Sequence, residues 1–270
     1  MKSTPIKERA IGVFDSGVGG LTVVKQLIHL LPHENIIYFG DTARVPYGNK
    51  SQETILRYSL ENVAFLMKQE IKLLVIACHT AAAQAGNMLK QHFTVPTVDV
   101  VESSIGDVAT TTQSGRIAIL GTKGTISSGI HQQKLQMLIP HAKIFPIACP
   151  LWVHLAEEKF IAHPASRMIV QEYLAPLQKH SIDTVLLACT HYPLLQKLIA
   201  EELGKDVAIV NPAETCAEKV MHLLDSQGIS RSSSILGCHQ YFVSDDPARF
   251  CEVGEEFLEM PLKDVQRVLI

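Results

Sequence analysis

No stretch of the chain approaches the ~18 uninterrupted apolar residues of a membrane-spanning helix, so none is expected. The opening segment, residues 1–10, is polar. It has no apolar core of a secretory signal, and the cytoplasm is the expected compartment. Long basic runs are also missing. With 24 Lys and Arg against 27 Asp and Glu, the net charge is −3, and a nucleic-acid surface is not expected. The six cysteines (Cys78, Cys149, Cys189, Cys216, Cys238 and Cys251) include no C-x-x-C pair. In a reducing compartment they are expected as thiols, and no metal site is expected because no ligand set has zinc-like spacing. Gly17-Val-Gly19-Gly20 follows an apolar run but lacks the G-x-G-x-x-G spacing and a Walker lysine. It reads as a glycine turn opening a helix rather than a nucleotide loop.

The remainder is material for a core. Of 270 residues, 47% are hydrophobic and 19% charged, enough for two compact domains. Short apolar runs alternate with helical periods. Strands are expected at Ile11–Phe14, Ile36–Phe39, Leu73–Ala77, Thr97–Val100, Ile117–Leu120, Lys143–Ile147, Thr184–Ala188 and Val207–Val210. Helices are expected over Leu21–Leu31, Ser51–Gln69, Ala81–Gln91, Ile130–Leu138 and Ala165–Lys179. This alternation implies an α/β fold with parallel sheets flanked by helices, whose reactive groups sit past the carboxyl ends of strands.

Four such ends carry chemistry. Two run into hydroxyl-bearing glycine turns, Asp15-Ser16-Gly17 and Gly121-Thr122-Lys123-Gly124-Thr125. The other two are closer still, Ala77-Cys78-His79-Thr80 and Ala188-Cys189-Thr190-His191. Both pairs are offset by nearly the same length of chain, the mark of a degenerate internal repeat. The chain is therefore expected to form two similar lobes related by a pseudo-twofold axis, with the active site in the cleft between them. Residues 1–100 with 211–270 form the first lobe and residues 101–210 the second. Pro96, the Glu102–Gly106 stretch and Asn211-Pro212 mark the boundaries.

A thiolate can act as nucleophile, metal ligand, redox centre or base, and a nearby imidazolium or helix N-terminus lowers its pKa from ~8.5. One cysteine beside a histidine would suit a hydrolase. Two equivalent cysteines, one per lobe, suit inversion of a carbon centre, where one face loses a proton and the other gains one. Asp15 reads equally as a helix cap or as part of this chemistry. Tyr47, between Pro46 and Gly48, lies in a fixed turn suited to contact through its backbone. Cys149, Cys216, Cys251 and Trp152 read as packing residues.

The chain resembles the glutamate racemase family. The resemblance rests on Gly12-Val-Phe-Asp15-Ser16-Gly17-Val-Gly19-Gly20, Gly40-Asp41-Thr42-Ala43-Arg44-Val-Pro46-Tyr47-Gly48 and Val75-Ile-Ala-Cys78-His79-Thr80. It continues with Gly121-Thr122-Lys-Gly124-Thr125, Ala188-Cys189-Thr190-His191-Tyr192-Pro193 and Asp245-Asp246-Pro247-Ala-Arg249-Phe250. It implies cofactor-independent interconversion of L- and D-glutamate in supply of peptidoglycan, by a homodimer. It implies Cys78 and Cys189 as the acid–base pair, tuned by Asp15 and His191 with Glu157 assisting. Substrate contacts would come from Asp15, Ser16, Tyr47, Gly48, His79, Thr80, Thr190 and His191, joined by Thr122 and Thr125. The chain departs from the family in one place. His79 stands where the motif usually has Asn, and neutral imidazole also offers one donor and one acceptor but is larger and can become cationic. An aspartate racemase, or a racemase-like binding protein without turnover, is the alternative.

Overall fold

The computed structural model describes residues 4–270. In chain order the elements are β1 (Ile11–Asp15), α1 (Leu21–Leu30), β2 (Ile36–Gly40), α2 (Gln52–Lys68), β3 (Leu73–Ile76), α3 (His79–His92) and β4 (Thr97–Asp99). Next come α4 (Val100–Thr111), β5 (Arg116–Gly121), α5 (Lys123–Ser127), α6 (Ile130–Leu138), β6 (Lys143–Ala148), α7 (Leu151–Glu157), α8 (Pro164–Leu174) and β7 (Thr184–Ala188). The last are α9 (Gln196–Leu203), β8 (Ala208–Val210), α10 (Pro212–Ser226), β9 (His239–Val243), α11 (Pro247–Leu258) and β10 (Gln266–Arg267). No described helix is long and apolar enough to cross a membrane.

The strands form two parallel sheets, in the orders β10-β9-β2-β1-β3-β4 and β6-β5-β7-β8. The orders β2-β1-β3-β4 and β6-β5-β7-β8 are the same arrangement. Thus β1 corresponds to β5 and β3 to β7, which puts Cys78 and Cys189 after equivalent strands. The central strands β1, β3 and β7 are buried along their whole length, so they read as continuous apolar runs, as strands covered on both faces do. Edge strand β6 is partly exposed. It tolerates Pro146, which lacks an N–H, because it pairs on one side only.

Some boundaries differ from the sequence expectation. Strand β4 stops at Asp99 rather than Val100, because the Asp99 carboxylate accepts the Glu102 N–H at 2.8 Å and starts α4. The expected helix over Ala165–Lys179 breaks after Leu174 into a 3₁₀ turn over Ala175–Lys179, where Pro176 cannot donate to the preceding turn. The chain also returns to the first sheet: β9 adds outside β2, and β10 outside β9. Helices α10 and α11 both pack on α1.

A buried ion pair fastens this return. Lys72, just before β3, places its ammonium 2.6 Å from the Glu34 carboxylate, and both side chains are buried. The same ammonium donates to the carbonyls of Lys7 and Ile229, each at 2.9 Å. Glu34 also accepts the Arg231 N–H at 2.7 Å. Four separate stretches of chain, at Lys7, Glu34, Lys72 and residues 229–231, meet at this charge pair. Lys72→Ala strips the cation from a buried carboxylate and is expected to cost about 3–5 kcal/mol. Lys72→Met with Glu34→Leu, which removes both charges, should recover much of that loss in a denaturant-unfolding measurement.

Candidate active site

Strand β1 delivers Asp15 to the interior, fully buried. One carboxylate oxygen accepts the Gly17 N–H at 3.0 Å and the other the Thr190 hydroxyl at 3.2 Å. Burial raises the Asp15 pKa; the positive charge of His191 and the Gly17 amide oppose this without cancelling it. The following loop requires glycine. A Cβ on Gly20 would lie 2.5 Å from the Asp15 Cβ, and one on Gly19 would lie 2.4 Å from the Thr190 hydroxyl and 2.6 Å from His191 Nδ1. At Gly19 the loop after β1 is thus pressed directly against the turn after β7, and any larger residue there would force the two apart; Gly20 is confined by Asp15 and Tyr38 instead.

Cys78 is the N-cap of α3. Its sulfur accepts the Ala81 N–H at 3.5 Å, and the thiol donates to the Ser16 hydroxyl at 3.7 Å. Burial pushes this thiol up to about 12, the nearby charge of Asp15 adding to the effect and the Ala81 amide opposing it. The positive end of α3 stands behind the sulfur.

Cys189 has different company. Its sulfur lies 3.7 Å from His191 Nδ1, while His191 Nε2 lies 2.8 Å from Glu157 at the end of α7. Burial alone would drive the ring neutral. Hydrogen bonds to Cys189 and Glu157, and their charge, overcome this and hold His191 well above its ordinary value. Burial would likewise raise Glu157, but His191 draws it below the usual carboxylate range. A positively charged ring therefore faces the Cys189 sulfur, backed by a carboxylate.

Both cysteines are buried: Cys78 is 5% exposed and Cys189 6%. One wall of the cleft is a triangle of hydroxyls. Thr80 on α3 meets Thr122 at 2.8 Å and Thr125 at 3.1 Å, and the latter two are 3.0 Å apart. Gly48 packs on this wall, since a Cβ there would lie 2.6 Å from Thr122. Tyr47 is buried with its hydroxyl already engaged, donating to Asp41 and accepting from Asn62 at 3.0 Å. That leaves the backbone of the Tyr47-Gly48 turn to face the cleft.

Asp15, Ser16, Cys78, Thr190, Cys189 and His191 are thus drawn into one linked set, with the Thr80–Thr122–Thr125 triangle two residues beyond Cys78. His79 is buried beside them, and its ring stacks on His131 rather than forming a hydrogen bond through Nδ1. Sequence reasoning missed the support behind Tyr47. Asp41 also accepts from Arg44 at 2.7 Å and Ser244 at 2.9 Å, and Arg44 reaches Glu61 and, at 3.0 Å, Asn62. The Gly40–Gly48 motif contained Asp41 and Arg44, but their partners lie on α2 and after β9 and leave no local signal. Cys149 and Cys216 are buried, Cys251 is partly buried and Cys238 exposed. Cys238-His239 sits at the amino end of β9, where His239 pairs with Ile36. Cys78 follows the carboxyl end of β3, so the two Cys-His pairs lie at opposite ends of the same sheet.

Two parallel sheets of matching strand order bring reactive strand ends together, Asp15 to Thr190 and Thr80 to Thr122 and Thr125, and the relatives of this fold are α/β isomerases of the racemase type. A family model described as Asp/Glu/Hydantoin racemase matches residues 11–220. The chain is 47% identical over 260 residues to the glutamate racemase of Geobacter metallireducens, covering 96% of each. It is 45% identical to that of Syntrophus aciditrophicus, again covering 96% of each. Among solved structures, a glutamate racemase isoform from Bacillus anthracis matches with TM-score 0.93 at 36% identity, over 97% of this chain and 98% of the other. The Francisella tularensis glutamate racemase, in complex with D-glutamate, gives 0.92 at 33% over 97% and 98%. The chain belongs to the Asp/Glu/Hydantoin racemase family.

The Glu157–His191 pair has a defined pH window. Glu157 titrates below its unfolded value, so its contribution is present above ~4.3 and is lost as pH falls through the folded value. His191 titrates above its unfolded value, so its contribution is complete below ~6.5 and is lost as pH rises through the folded value. Glu157→Gln is therefore expected to move the His191 titration, followed by ring NMR, to lower pH. An unchanged midpoint would contradict the pairing.

Proposed function

We propose that this protein interconverts L- and D-glutamate by two-base proton transfer, with Cys78 and Cys189 acting on opposite faces of the α-carbon. The observation that carries the reading is the placement of one cysteine after each of two equivalent strands, β3 and β7, both buried and close enough that the charge of Cys189 acts on Cys78. The relatives named glutamate racemase supply the substrate.

The sulfur on one face, as thiolate, takes the α-proton and becomes a thiol. The thiol on the other face gives its proton to the carbanion and becomes a thiolate. The product is the mirror image, and the protonation states of the two cysteines have exchanged. The reverse reaction, or exchange with solvent, restores them. His191, held by Glu157, keeps positive charge and a proton beside Cys189. Ser16 and the Ala81 amide hold the sulfur of Cys78. The anionic intermediate is supported by donors already in place, the N-terminus of α3 and the hydroxyl of Thr80. Asp15 holds Thr190 and its own loop in position. Ser16, Thr80, Thr190, His79, His191 and the Tyr47-Gly48 backbone contact substrate in this reading.

The same reading gives the protein a cytoplasmic place in supplying D-glutamate for peptidoglycan, a homodimeric state, and lobes formed by residues 1–100 with 211–270 and by residues 101–210. Solvent-deuterium incorporation separates the mechanism from its alternatives. Each enantiomer of glutamate, incubated in deuterated water, is expected to gain one α-deuterium as it converts, while aspartate gains little. Cys78→Ser and Cys189→Ser should each lower racemisation by at least about 10³-fold with the fold intact by circular dichroism. Full activity in either variant would rule out the two-thiol mechanism, and faster exchange of aspartate would reassign the substrate.

A further inference from the structure

His131 lies outside every group given a role above. It is the second residue of α6, and its ring is fully buried. It stacks on His79 at the start of α3, with ring centroids 5.6 Å apart and planes inclined by 27°. Neither ring nitrogen of His131, nor Nδ1 of His79, has a hydrogen-bond partner among the described residues. The shape of the contact, rather than the polarity of His131, is what the pair supplies.

The surroundings direct that contact. Gly129, in the left-handed region at φ 66°, turns the chain from α5 into α6 and brings His131 against α3. Lys134, one turn further on, is drawn away by Glu102 at 3.0 Å. Burial pushes His131 down to about 4, and burial together with His131 holds His79 well below its ordinary value. Both rings are therefore neutral at neutral pH and stack without repulsion. His79 directly follows Cys78, so the plane of its ring is set within one peptide of the sulfur. An imidazole donates from one nitrogen and accepts at the other, each along a fixed direction in the ring plane. It recognises a ligand well only if that plane is held, because a ring free to change rotamer loses that freedom on binding.

We propose that His131 is a positioning residue: it reaches across the cleft from the second sheet's side, fixes the ring plane of His79 beside Cys78, and so sets substrate affinity without touching the substrate. This rests on the reading of His79 as a substrate contact.

The test uses the full chain with His131→Ala and His131→Phe, each also combined with His79→Ala. His131→Ala is expected to raise KM for both enantiomers of glutamate roughly tenfold, with a smaller fall in kcat. His131→Phe keeps a flat face against His79 and should restore most of the affinity. With His79 already replaced by alanine, His131→Ala should add nothing to KM. In the ligand-free protein, the His79 ring resonances should shift and begin to titrate near neutral pH in His131→Ala but not in His131→Phe. Additive losses, an unchanged KM, or His79 resonances indifferent to His131→Ala would overturn the assignment. If the unaltered protein fails to racemise glutamate, the substrate reading falls, and the resonances still decide whether His131 positions His79.

Discussion

The hydrogen bond from Thr190 to Asp15 joins the two halves of the pocket. It links the carboxyl end of β7 to that of β1 across the gap between two sheets that share no strand pairing. Its partners are fully and almost fully buried, so neither is readily compensated by water if the bond breaks. The glycine at 19 follows from it, because the close approach of the two turns leaves no room for a Cβ there. The charge on His191 acts on the same carboxylate. A buried Asp15 pushed toward neutrality is partly restored by that nearby cation, and the cation is itself held by Glu157. Glu157, His191, Thr190 and Asp15 thus form one chain of compensated burial running through the site.

The duplicated sheet order places the two cysteines equivalently but does not make their surroundings equal. Cys78 caps a helix of 14 residues and leans on a neutral hydroxyl. Cys189 precedes a 3₁₀ turn over Tyr192–Leu195 and has no long helix behind it. An imidazolium ring takes the helix's place. Two different sources of positive potential, one from aligned backbone dipoles and one from a side-chain cation, serve the two sulfurs. A backbone source is fixed, whereas a side-chain source titrates and depends on its own partner. The carboxylate of Glu157 is needed only on the Cys189 side for that reason.

Much of this was legible in the sequence because it is local. The four strand ends carry their reactive residues within a few positions of an apolar run, and the strand alternation with its repeated offset gives the α/β class and its two parallel sheets. The chain's return was not legible. The segment His239–Val243 carries little apolar run of its own, and β10 has two residues whose strand character comes only from pairing with β9. Helix α5 is five residues long and is recognisable chiefly by Thr122 capping the Thr125 N–H. Side-chain partnerships at long range were likewise hidden. Glu157 could be placed near the site only through resemblance, and His131 had no sequence signal at all, since a histidine on a helix is read first as a surface or core residue.

His79 and His131 show how a bulky ring beside a reactive sulfur finds its support in three dimensions. An amide side chain at the start of α3 would be small enough to be oriented by its neighbours alone. The imidazole is larger, and in this fold its face is met by a second ring of the same size from α6. Because both rings are buried and neutral, the contact contributes through packing and leaves the charges beside the sulfurs to Asp15 and His191. The fold thus separates two tasks around Cys78 that a single polar side chain would otherwise combine. The electrostatics come from the β1 loop and the α3 terminus, and the shape of that end of the pocket comes from a ring pair that spans the cleft.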